Sequence, residues 1–161
     1  MSFFDWAAAN PMLIIVAALV LFTLAKTLRY IPNNRVGILE KLWSGAGSVK
    51  GGLIAVNGEA GFQPHVLRGG WHVLMPFIYR IHKAPLVTIP QGKIGYVFAR
   101  DGKDLPATQA LASNEKAKDF QDVVAFLQVG GQKGPQRQIL REGTYAINLA
   151  QFVVLTEDQL Y

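Results

Sequence analysis

The chain opens on a long apolar run and then changes its period. From Trp6 to Ala25 no residue is charged, and only Asn10, Pro11 and Thr23 interrupt the apolar character. At about 1.5 Å per residue, a helix over this run reaches roughly 30 Å, the thickness of a bilayer core. The pattern predicts a membrane-spanning helix with Trp6, Pro11, Met12, Leu13, Ile14, Ile15, Val16, Leu19, Val20, Leu21, Phe22 and Ala25 in the apolar layer. A secretory leader would need basic residues before the run, and MSFFD has none. After Tyr30, short β-branched runs alternate with Gly- and Pro-containing turns, which predicts strands near 35–42, 53–56, 70–74, 79–83, 85–89 and 93–99. One amphipathic helix is expected over 118–129. There Phe120, Val123, Val124 and Leu127 form a single stripe, and Gly130-Gly131 ends it.

Two landmarks recur in order. Ile31-Pro32-Asn33-Asn34-Arg35-Val36-Gly37 matches Ile89-Pro90-Gln91-Gly92-Lys93-Ile94-Gly95. Leu67-Arg68-Gly69-Gly70-Trp71-His72 matches Leu140-Arg141-Glu142-Gly143-Thr144-Tyr145. The landmarks lie 36 positions apart in the first copy and 51 in the second, so the second carries an insertion where the amphipathic helix falls. The organisation read from this is a membrane anchor over 1–30, a first β-rich unit over 31–88, and a second unit with the inserted helix over 89–154. Setting Phe152 against Leu86 makes 155–161 the opening of a third unit, so the chain reads as part of a longer protein.

Charge refines the picture. The 161 residues carry 16 Lys+Arg and 11 Asp+Glu, a net charge of +5. Lys26, Arg29 and Arg35 follow the apolar run and are candidate contacts for lipid headgroups. The positive-inside rule then places the soluble part on the cytoplasmic side of a single-pass protein. No groove-entering motif accompanies the charge, so nucleic acid is not an expected partner. Trp71–Ile78 reads either as core or as a membrane-dipping tip formed by Trp71, Leu74, Met75, Phe77 and Ile78.

The search for catalytic chemistry is negative. The absence of cysteine excludes disulfides, thiolate metal sites and a Cys nucleophile. His65, His72 and His82 have no acid at ligand spacing, and no Walker loop or nucleophile elbow occurs. No metal, cofactor or catalytic residue is expected, and the chain reads as a non-enzyme. A membrane-tethered hydrolase would need a nucleophile–base pair that the sequence does not show.

The hydrophobic N-terminus, the Arg35-Val36-Gly37-Ile38 segment and the run from Leu67 through Gly70, His72 and Pro76 resemble the SPFH (Band 7) superfamily of stomatin, prohibitin and flotillin. Gly69-Gly70 stands where that family has Pro-Gly. The tandem units look most like the large bacterial flotillin-like proteins. The fold class implied is α+β: an N-terminal transmembrane helix followed by β-rich SPFH-like tandem units, with an amphipathic helix in the second. The resemblance implies a membrane-anchored scaffold in the bacterial inner membrane. It would homo-oligomerise into a ring or cage, organise membrane microdomains, and enclose a partner such as an NfeD-like protein or a protease. A monomeric membrane-tethered module that binds a peptide or lipid is the alternative.

Overall fold

The computed structural model describes residues 9–113 and 118–157. One apolar helix, α1 (Pro11–Thr27), leads directly into a body of ten short strands. These are β1 (Leu28–Ile31), β2 (Arg35–Lys41), β3 (Gly61–Leu67), β4 (Gly70–Val73), β5 (Tyr79–Pro85), β6 (Val87–Ile89), β7 (Gly95–Ala99), β8 (Gly134–Pro135), β9 (Gly143–Tyr145) and β10 (Phe152–Thr156). A second helix, α2 (Val123–Gln128), lies between β7 and β8.

The helix corrects the largest expectation from the sequence. Asn10 leaves helical geometry (φ −130°, ψ 55°), and Pro11, which cannot donate to a preceding turn, restarts the helix at its first position. At the other end Leu28 is already extended. The 17 residues between span about 25 Å, short of the roughly 30 Å core. Among the described residues no helix is long and apolar enough to cross a membrane. The expected single-pass inner-membrane placement and the transmembrane element of the fold class are therefore overturned. Trp6 lies outside the described residues.

The strands form two units with the same pairing. In the first, the sheet order is β3-β2-β5 with a β1-β4 ribbon; in the second it is β8-β7-β10 with a β6-β9 ribbon. The registers coincide position by position. Ile31 faces Gly70 and Ile89 faces Gly143. Lys41 faces Gly61 and Ala99 faces Gly134. Lys41 faces Tyr79 and Ala99 faces Phe152.

Side chains repeat as well. Gln63 Nε2 donates to the Glu59 and Gly61 carbonyls, and Gln136 Nε2 to those of Gln132 and Gly134. His72 Nε2 reaches the Arg68 carbonyl at 2.7 Å, and the Tyr145 hydroxyl reaches that of Arg141 at 3.0 Å. The glycine of the first landmark has one steric cause in both units. A Cβ on Gly37 would lie 2.5 Å from Ile31 Cδ1, and one on Gly95 would lie 2.7 Å from Ile89 Cδ1. Both isoleucines are buried, so neither can move aside cheaply.

Register also sets the phase of the chain's last described residues. β10 is the counterpart of β5, with Phe152 matching Tyr79, whereas the sequence comparison set Phe152 against Leu86. Leu155 and Thr156 thus complete the second unit's sheet. Residues 158–161 lie outside the described residues.

The insertion of the second unit supplies much of the core. Phe120, Phe126 and Phe152 meet with ring centroids 5.1–6.4 Å apart. Ile38 and Ile54 of the first unit join them in a single cluster. The helix expected over 118–129 is shorter, because Asp119 (φ 52°) and Phe120 (φ 58°) turn left-handed and swing the Phe120 ring inward. Asp122 then caps α2 by accepting from the Ala125 N–H at 2.9 Å.

Two polar joints hold the units together. Asn148 Nδ2 donates to the carbonyls of Gln63 (3.0 Å) and Pro64 (3.1 Å) on β3. The Asp101 carboxylate accepts from the Leu53 and Ile54 N–H groups at 2.7 and 3.1 Å.

Candidate functional site

The two units differ in how the loop that follows their ribbon is buried, and that difference marks the site. In the second unit, Ile147, Asn148, Ala150 and Gln151 are buried, and Asn148 bonds to β3 of the first unit. The matching loop of the first unit holds Leu74, Met75, Pro76, Phe77 and Ile78. One backbone hydrogen bond recurs: the Tyr79 N–H donates to the Met75 carbonyl as the Phe152 N–H does to that of Asn148, but Phe77 has a positive φ where its counterpart Ala150 does not. Nothing among the described residues covers it. Met75 is 63% and Phe77 76% exposed.

Phe77 is also left-handed, at φ 74°. That conformation costs a side-chain-bearing residue about 1–2 kcal/mol. Its ring is thus held outward at an energetic cost, in a loop pinned by the Leu74 N–H to the Thr27 carbonyl (2.9 Å) and by the Leu42 N–H to that of Ile78 (2.7 Å).

The ribbon beside the loop shows the same contrast. Tyr30 and Trp71 pair across β1 and β4 with ring centroids 5.1 Å apart, and both are exposed. At the matching positions of the second unit stand Thr88 and Thr144. Val73 is 75% exposed where its counterpart Ala146 is buried. Helix α1 runs directly into this ribbon, has no buried residue, and is apolar on every side. Helix, ribbon and loop together make one exposed apolar end of the molecule.

Of the residues expected at a membrane-dipping tip, Trp71, Met75 and Phe77 are exposed there, whereas Leu74 and Ile78 are half-buried. Of the expected headgroup contacts, Lys26 and Arg29 come together; Arg35 sits apart, at the end of β2 opposite Pro85.

Lys26 and Arg29 line a cavity of about 490 Å³ at the foot of α1. Arg80 and Lys83 of β5 complete a set of four cations around it, and Phe22, Leu42, Pro76 and Phe77 supply apolar wall. No residue lining it is acidic. Glu40 approaches from outside, with Oε2 3.7 Å from Arg80 and 2.7 Å from His82 Nε2. The exposed Arg80–Glu40 pair is long and weak. Sequence reading missed Arg80 and Lys83 because they lie more than fifty positions from Lys26; only the β2–β5 pairing returns them to the helix.

A second cavity, lined by Phe98, Arg100, Asp104, Leu105 and Lys133, differs in kind. Its Lys133 is already bound to Asp104, whose hydrogen bond and charge raise the ammonium pKa above its ordinary value. Glu59 accepts from the Asn57 N–H at 3.0 Å, and backbone hydrogen bonds hold its carboxyl below the ordinary value.

Compared with protein families, curated proteins and solved structures, the chain matches none of them. No match adds to the SPFH and flotillin resemblance, and the exposed apolar end with its four cations stands on its own geometry. Among the described residues no cluster of three or more His, Asp or Glu could hold a metal ion.

Proposed function

We propose that this chain is a lipid-attached scaffold subunit, held at a membrane from one side without crossing it, whose two β-units pack against copies of itself. One observation carries the reading: a 17-residue helix, apolar all round and with none of its residues buried by the chain, needs an apolar surrounding. The exposed aromatic ribbon and the strained Phe77 tip sit at its foot and extend that surface. Lipid satisfies all three together. Self-assembly extends the reading from the repeat, in which two similar units already pack on one shared core.

Flotation with vesicles tests the attachment. The intact chain is expected to rise with phosphatidylcholine vesicles, and Val16→Glu/Val20→Glu to remain below. No α1 residue is buried, so the unfolding transition of the body should be unchanged. Failure of the intact chain to float, or equal flotation of the variant, would sink the reading. Particle mass in mild detergent should be a multiple of 17.7 kDa; a monomer would remove self-assembly and leave a lipid-attached binding module.

The tip supplies a sharper prediction. Phe77→Gly releases a left-handed strain of about 1–2 kcal/mol but adds unfolded-state entropy worth about 0.5–1 kcal/mol. A small net rise in thermal stability is expected, about 1–4 °C. Losing the ring, about 1.5–3 kcal/mol of apolar burial, should weaken vesicle partitioning by roughly tenfold or more. Calorimetry and flotation on the same sample would show the two opposite signs. Unchanged partitioning would mean that the ring does not enter lipid.

A further inference from the structure

We propose that the cavity at the foot of α1 is a binding site for a phosphate ester, held by Lys26, Arg29, Arg80 and Lys83. The inference rests on the lipid-attachment reading and names the ligand class of the same end of the molecule. The repeat provides an internal comparison. Counting along the matched registers, Arg29 corresponds to Val87, Arg80 to Val153 and Lys83 to Thr156. The second unit forms the same ribbon and the same three-stranded sheet with no cation at any of these places. The ribbon and sheet therefore form without these three charges, and their convergence with Lys26 on one cavity points to a ligand.

The ligand's chemistry follows from the walls. Four cations with no lining acid select a multiply bonding anion, and guanidinium forks match phosphate oxygens in particular. Phe22 and Phe77 on the same wall suit an apolar chain attached to that phosphate. The cavity opens where the exposed apolar end begins, which is where the phosphate of a membrane lipid would lie if α1 entered the acyl layer. A soluble phosphate ester offers the same anionic group.

Arg80→Gln/Lys83→Gln tests the site, because both residues lie on β5, away from the apolar helix. The intact chain is expected to float more strongly with vesicles containing phosphatidylglycerol than with phosphatidylcholine alone, and the preference should fall as salt rises. Each cation near an anionic surface contributes about a fivefold factor, so the double variant should partition about 25-fold less to the anionic vesicles. Its partitioning to phosphatidylcholine, whose choline cation already balances the phosphate, should fall far less, since the helix is intact.

In a second arm, glycerol 3-phosphate is titrated into the intact chain and followed by arginine side-chain NMR shifts. Saturable shifts that vanish in the double variant would identify a soluble phosphate ester as sufficient. Shifts absent, with the vesicle preference present, would identify the lipid as the source. Equal flotation on both vesicle types together with no response to glycerol 3-phosphate would overturn the site while leaving lipid attachment standing. Failure to float on either would overturn the attachment itself.

Discussion

Phe152→Ala is expected to cost about 3–5 kcal/mol, the largest single loss in this chain. Phe152 is fully buried, and its ring sits edge-on to both Phe120 (5.2 Å) and Phe126 (5.1 Å). Those two rings come from the insertion that the first unit lacks. Removing the third ring leaves a cavity between two elements held apart by their own backbone: the left-handed turn at Asp119-Phe120 and the capped α2. Neither can collapse into the space, so the cavity cost adds to the lost burial. Because Ile38 and Ile54 share this cluster, the loss should reach the first unit too. Urea unfolding followed separately by fluorescence and circular dichroism should show one transition moved to lower urea. A loss under about 1 kcal/mol would mean that the aromatic cluster is not the shared core.

Asn148→Leu is the second. The volume is nearly kept, but the side chain no longer donates to the Gln63 and Pro64 carbonyls and no longer accepts from the Ala150 N–H. The Pro64 and Ala150 partners are buried and Gln63 is half-buried. Leaving a buried polar group unpaired costs about 1–3 kcal/mol, and a total near 3 kcal/mol is expected. For a chain of this size that lowers the melting temperature by about 6–12 °C. The comparison is Met75, which occupies the same place in the first unit's loop and is exposed. Met75→Ala should change stability by no more than about 0.5 kcal/mol. Similar losses at both positions would remove the distinction between a covered loop and an uncovered one, on which the proposed attachment rests.

The landmark repeat is legible in the sequence. The two landmarks aligned Ile31 with Ile89 and Leu67 with Leu140, and the registers pair these residues alike. They were visible because each glycine is demanded locally: Gly37 and Gly95 by the isoleucine packed on them, Gly70 and Gly143 by φ near 132° and 146°. Strand β3 escaped notice because Gly61-Phe62-Gln63-Pro64-His65 does not alternate cleanly and contains a proline. The helix over 118–129 had the correct stripe, yet Phe120 reaches the core through a left-handed turn, which no helical period encodes.

The site was half legible. Lys26 and Arg29 stand beside the apolar run and were found with it; Arg80 and Lys83 were not, since charge along a sheet edge has no periodic signature.

The amino-acid sequence alone showed an apolar run, an ordered pair of recurring landmarks, and a wider spacing between them in the second copy. These properties follow from short-range composition and spacing. The tertiary structure alone decided three further matters. It ended α1 at Asn10 and Leu28, too short to cross a bilayer. It buried one copy of the loop while exposing the other. It gathered four cations from two distant segments around one cavity. The physical reason is common to all three: a local pattern reports which face of an element is apolar or charged, and whether that face is covered depends on neighbours brought in by long-range pairing.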